Sequence, residues 1–207
     1  MEHGIQPARL RVIRNGIDPD AFVPAGGSRG ERPFTFLFLG RLTEEKGIPL
    51  LLEVANGLKG RVDLRIDVAG DGPLRPVVEK AARQEGSVLA YRGQCDDVLP
   101  QLQRADAVIM PSVSEGLPMT ALEAMACGLP LLASTAGGIP ELLADGITGT
   151  LVQGREAPDW ISEIQRLAAD PERAAAFGRA GRQRVEAEFS EAEMLSNLVE
   201  TYRDALK

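Results

Sequence analysis

Two carboxylates and two cations stand out for the residues around them. Glu115 lies in the turn Pro111-Ser112-Val113-Ser114-Glu115-Gly116-Leu117-Pro118, between the apolar run Ala107 to Met110 and the helical stretch Pro118 to Ala126. Pro118 suits a first helical position, so the free amides of Leu117 to Thr120 would point outward as an anion site. At about 100° per residue, Glu123 falls on the flank of the stripe formed by Met119, Leu122 and Ala126. A carboxylate there wants hydrogen-bond donors such as a pair of hydroxyls; a boundary glutamate reaching out to solvent is the plainer alternative. Arg41 and Lys46 flank a second turn, Gly40-Arg41-Leu42-Thr43-Glu44-Glu45-Lys46-Gly47. Gly40 allows close backbone approach, and both cations could reach a phosphate, although such a pair on an exposed turn is often only solvated. A third turn, Gly70-Asp71-Gly72-Pro73, lacks the G-x-G-x-x-G spacing of a dinucleotide fingerprint.

These turns need a frame, and the apolar pattern supplies one. Short apolar runs at Phe34–Leu39, Val62–Ala69, Val88–Tyr91, Ala107–Met110, Pro130–Ala133 and Thr150–Val152 read as strands covered on both faces. Helical stretches alternate with them: Ile48–Leu58, Leu74–Glu85, Val98–Gln103, Pro118–Ala126 and Ile139–Ala144. That alternation predicts an α/β fold, a doubly wound, Rossmann-like parallel sheet of about six strands with helices on both faces. Ligands of such sheets sit outside the carboxyl ends of the strands, where the three turns lie. The last third is helical: Ala157–Ala169 carries an apolar face, Pro171 starts another stretch, and Ser190 with Glu193 makes a capping box ahead of Met194 to Tyr202. Ahead of the frame, Leu10–Ile13 reads as a strand followed by a polar, Gly-rich linker.

Composition narrows the function classes. The 207 residues suit one domain with appendages. With 23 basic against 30 acidic residues the net charge is −7, so an anionic ligand must be held by local cations and helix ends, and nucleic-acid binding is not expected. Two cysteines, Cys95 and Cys127, form no zinc or disulfide pattern and suit a reducing compartment. The lone histidine, His3, reads as a solvated terminal residue, which leaves no material for a histidine triad or metal site. No run approaches a membrane span and the start lacks a signal-peptide build, so the cytoplasm is the expected location.

Taken in order, Gly40-Arg41 with Lys46-Gly47, Gly70-Asp71-Gly72-Pro73, Glu115 and Glu123, and Gly137-Gly138-Ile139-Pro140-Glu141 with Asp145-Gly146 and Gly149 resemble the retaining family 4 glycosyltransferases of the GT-B fold. The opening Val12-Ile13-Arg14-Asn15-Gly16-Ile17-Asp18 through Phe22-Val23-Pro24 is similar to that family's interdomain stretch. The likeness spans essentially the whole chain.

The resemblance implies a donor substrate, a nucleoside diphosphate sugar, with no cofactor and no required metal. Arg41 and Lys46 would bind the diphosphate and compensate leaving-group charge, helped by amides from Gly116, Leu117, Pro118 and Met119. Glu115 would contact the donor sugar at the reacting face, the position taken as catalytic. Glu123 would accept from the ribose hydroxyls, and Arg92 with Gly93 would pack the base. The implied reaction transfers a hexose-type sugar to an acceptor hydroxyl with retention. In the same terms residues 1–32 form a linker with one strand, 33–188 the donor domain, and 189–207 a terminal helix that crosses back to a first, acceptor-binding domain. That first half, about 150–200 residues, would precede the Leu10–Ile13 strand. Without it the chain would bind donor at most, and the apolar face of Met194 to Tyr202 would be exposed or packed on another copy. In the full-length protein the cytoplasmic face of a membrane is a further expected location. A non-catalytic nucleotide-sugar module pairing with a separate acceptor chain is the alternative. A pyridoxal-phosphate phosphorylase is disfavoured, since none of Lys46, Lys59, Lys80 and Lys207 suits a buried Schiff base.

Overall fold

The computed structural model describes residues 10–26 and 30–206, so His3 lies outside the described residues. Six strands form one parallel sheet: β1 (Phe34–Leu39), β2 (Leu64–Ala69), β3 (Leu89–Gly93), β4 (Ala107–Met110), β5 (Leu131–Ser134) and β6 (Gly149–Val152). Their spatial order is β3-β2-β1-β4-β5-β6, the doubly wound arrangement expected. The chain builds outward from β1 through β2 to β3, then returns to β1's other side to start β4. The strand order therefore reverses between β1 and β4, and a crevice opens beyond their carboxyl ends.

The helices are α1 (Ile48–Gly57), α2 (Arg75–Ala82), α3 (Leu99–Arg104), α4 (Met119–Ala126), α5 (Ile139–Leu142), α6 (Ala157–Ala168), α7 (Pro171–Glu188) and α8 (Glu191–Ala205). Alternate residues of β1 enter two different cores. Phe34, Phe36 and Phe38 pack in the cluster that holds Leu51, Val54, Trp160 and Ile164 of α1 and α6. Leu37 packs in the cluster that holds Leu122 and Met125 of α4. Burial on both faces explains the unbroken apolar run. Among the described residues no helix is long and apolar enough to cross a membrane.

The strand expected at Leu10–Ile13 does not form. That stretch is irregular, with Leu10 and Val12 exposed, and Arg11 reaches Glu200 and Asp204 of α8 instead. Both sides of β1 are already taken, by β2 and β4. The backbone pairing falls later, as an isolated bridge between Ile17 and Ser190. There Ile17 donates to the Phe189 carbonyl at 2.9 Å and accepts from the Glu191 amide at 2.9 Å. Arg182 of α7 then holds the linker by donating to the carbonyls of Phe22 and Ala126. The expected half of the cap on α8 is present, the Ser190 hydroxyl accepting from the Glu193 amide at 3.2 Å.

Candidate donor-binding crevice

The loop leaving β1 is held against the loop leaving β4. Val113 donates its amide to the Glu45 carbonyl at 2.8 Å. Gly47, in the left-handed region at φ 77°, caps α1 so close to the Pro111 carbonyl that a Cβ would collide with it. This contact brings Lys46 beside Glu115. The ammonium donates to both carboxylate oxygens, at 2.7 and 2.8 Å, and the Ser112 hydroxyl donates to Oε1 at 2.7 Å. The Glu115 side chain is 6% exposed and that of Lys46 24%.

A third element fixes this loop from behind. Ser134 at the end of β5 donates to the Ser112 carbonyl at 2.6 Å, and the Gly138 amide donates to the Gly116 carbonyl at 3.0 Å. Gly137, at φ 52°, lies against the Glu115 carbonyl where any side chain would clash. The Gly137-Gly138 pair is thus a buttress that sets where Glu115 stands. Ser112 went unnoticed in the sequence because its role depends on a partner three residues on, in a loop with no periodicity.

Beyond Glu115 the backbone turns into α4. Pro118 stands one position earlier than expected: it is the N-cap, with ψ 123°, and Met119 is the first helical residue. Lacking an N–H, Pro118 adds no donor. The amides of Gly116, Leu117, Met119 and Thr120 find no acceptor among the described residues, so four N–H groups are left unpaired at a positive helix end, where Met119 and Thr120 line the crevice. Asn15 of the linker donates to the Leu117 carbonyl at 3.2 Å, steadying the same turn.

Two adjoining hollows follow this path, sharing Leu39, Gly40 and Thr120. One, of about 100 Å³, holds Lys46, Ser112, Glu115, Pro118 and Met119. The other, of about 390 Å³, holds Arg41, Asp71, Gln94, Cys95, Val98 and Glu123. Arg41 is exposed and has no ion-pair partner among the described residues. Glu123 is half-buried with no hydrogen-bond donor of its own, and burial pushes its carboxyl above the ordinary value. A partly buried carboxylate without a partner is an open acceptor. The Cys95 thiol is likewise pushed up, by burial first and then by the nearby carboxylates of Asp96, Asp97 and Glu123.

Arg92 does not join the crevice. Strand β3 runs two residues further than expected, and a register break pairs Val68 with Tyr91 but Ala69 with Gly93, leaving Arg92 as the extra residue. Its guanidinium meets Asp67 of β2 at 2.9 Å, opposite Arg65 at 2.7 Å. Gly93 accepts from the Gly70 amide at 2.8 Å, and the following Gln94 and Cys95, neither expected from sequence as a site residue, line the hollow of about 390 Å³.

A parallel sheet with cations, amides and carboxylates at its switch point describes the doubly wound class of α/β proteins, and comparison narrows it. The family model of the glycosyl transferases group 1 matches residues 24–184, and the chain belongs to that family. It is 36% identical over 228 residues to an alpha-maltose-1-phosphate synthase of Mycobacterium tuberculosis, covering 96% of this chain and 58% of the relative. Among solved structures it superposes on sucrose-phosphate synthase from Thermosynechococcus elongatus with TM-score 0.84 and 28% identity, over 95% of this chain and 52% of that one. It also superposes on Anabaena HepE in complex with UDP-glucose with TM-score 0.86 and 20% identity, over 98% of this chain and 60% of the other, a likeness of fold. The chain spans little more than half the length of these proteins.

Proposed function

We propose that this chain is the donor-binding half of a retaining, family 4 type glycosyltransferase. The carrying observation is the convergence at the switch point of Arg41, four unpaired amides and the unpartnered, half-buried Glu123. Anion donors at the start of α4 and an open acceptor about one helical turn further on suit a nucleoside diphosphate, its phosphates on the amides and cations and its ribose hydroxyls on Glu123. A protein of the same fold is known in complex with UDP-glucose, a ligand of that class.

The reaction follows from charge. Breaking the bond between sugar and diphosphate leaves negative charge on the departing oxygen, and fixed donors in a crevice stabilise it without reorganising. Arg41, Lys46 and the amides of Gly116, Leu117, Met119 and Thr120 supply that compensation, so no metal is required. Glu115, next to the diphosphate donors and shielded from water, accepts from the sugar hydroxyls and orients a hexose-type ring. The acceptor hydroxyl arrives from a second half, on the same face of the sugar as the departing group, and no enzyme nucleophile is used.

Calorimetry of the 207-residue chain with nucleoside diphosphate sugars of several bases tests this. One ligand is expected to bind clearly tighter than the rest, with affinity unchanged by chelator. Absence of binding across the panel overturns the reading, and dependence on magnesium or manganese overturns the charge assignment.

A further inference from the structure

Building on that reading, we propose that Lys46, Glu115 and Ser112 form a latch that an intact nucleotide sugar opens and a bare nucleoside diphosphate does not, so that Glu115 sets the preference for donor over spent product. The ammonium of Lys46 spends two hydrogen bonds on the Glu115 carboxylate, although Lys46 also lies within reach of the diphosphate donors. Drawing it toward a phosphate leaves a carboxylate that is only 6% exposed with Ser112 as its one remaining donor among the described residues. Stranding a buried charge in this way is costly. The backbone that carries the carboxylate is itself held from behind by Ser134 and Gly138.

The intact donor brings its own remedy. Hydroxyls of the sugar donate to Glu115 as Lys46 departs, so phosphate binding and sugar binding each lower the cost of the other. A bare diphosphate brings no such hydroxyls. It is captured by Arg41 and the amides, which have no partner to give up, and Lys46 stays on Glu115. After transfer the sugar leaves, Lys46 returns to Glu115, and the diphosphate loses a contact.

The test is the ratio of two affinities. Glu115→Gln needs no cation, so Lys46 is released to the phosphate. Bare diphosphate is then expected to bind about 3- to 10-fold tighter, the scale of one charge-assisted hydrogen bond offset by solvent, while the nucleotide sugar binds more weakly. The ligands are UDP with UDP-glucose, ADP with ADP-glucose and GDP with GDP-mannose, and the pair bound tightest by the unaltered chain is carried to the variants. In a Lys46→Met background the gain is expected to vanish. Unchanged or weaker diphosphate binding by a folded Glu115→Gln chain overturns the latch alone. Should that variant not fold, Ser112→Ala decides: it leaves Glu115 more dependent on Lys46, so it must weaken nucleotide-sugar binding while leaving the diphosphate, which does not draw on Lys46, unchanged, and any other outcome overturns the latch. If the unaltered chain binds none of the six ligands, the donor-site reading fails and the latch with it.

Discussion

Two hollows of this molecule combine arginines with carboxylates, and they are finished differently. The larger, about 670 Å³, lies toward the amino ends of the strands and on the sheet face over β2. In it Arg65 and Arg92 share Asp67, and Arg32 holds Asp106 through two bonds of 2.7 and 2.9 Å. The crevice beyond β1 and β4 is smaller, but Arg41, four amides and Glu123 are left without partners there. Size therefore does not locate the site; unmet hydrogen-bonding capacity at the switch point does. The rear hollow is a paired network, bordered by residues of α3 and α7.

The largest expected effect breaks the rear network. Replacing both Arg65 and Arg92 by Met strands Asp67, whose side chain is 9% exposed, and is expected to cost about 3 kcal/mol of stability, as for a buried pair stripped of its cations. Urea unfolding measures the loss. Affinity for the nucleotide sugar, measured where the variant remains folded, is expected to stay within about 2-fold, since such a distant site adds independently. A matching loss of affinity would place Arg92 in the donor site after all.

Arg41→Ala is the mirror experiment. The side chain is exposed and unpaired, so stability is expected to move by less than about 0.5 kcal/mol. Loss of its phosphate contact is expected to weaken the nucleotide sugar and the diphosphate alike by about 1.5–3 kcal/mol. Equal binding by this variant would remove Arg41 from the site.

The smallest effect carries the sharpest sign. Burial raises the Glu123 carboxyl above its ordinary 4.5, so the folded chain holds that proton more tightly than the unfolded one. Its contribution to stability is complete below the ordinary value and is lost as pH rises through the raised value. Glu123→Gln removes that loss, so the variant is expected to melt slightly above the parent near about pH 7 and level with it near about pH 3. The same change weakens nucleotide-sugar binding, and in the parent that binding is expected to fall as Glu123 takes up its proton. A variant that melts lower near neutrality would mean that the carboxylate has a partner in the fold.

Much of the frame was legible. The unbroken run Phe34–Leu39 and the exact span Ala107–Met110 followed from burial on both faces, and the turns after them carried Arg41, Lys46 and Glu115. Misreadings came where a neighbour decided. Arg92 looked like a residue past the end of its strand, but β2 extends the pairing to Gly93 and a bulge turns the side chain onto Asp67. Leu10–Ile13 had a strand's composition, but the chain leaves it irregular and turns to α8 instead. Pro118 was placed at the start of α4 to within one residue, but a proline's missing donor matters only once the amides around it are seen to be unpaired.

The order of strands and helices, the glycine turns and the spacing from Glu115 to Glu123 were determined by sequence alone, because apolar period and turn chemistry are local properties of the chain. What tertiary structure decided is which charges are spent and which are left over. Lys46 and Glu115 stand 69 residues apart and are locked together, Asp67 consumes Arg65 and Arg92, and Arg41 and Glu123 remain open. Pairing of that kind depends on distances and burial set by the packing of whole elements, and no residue type or spacing encodes it locally.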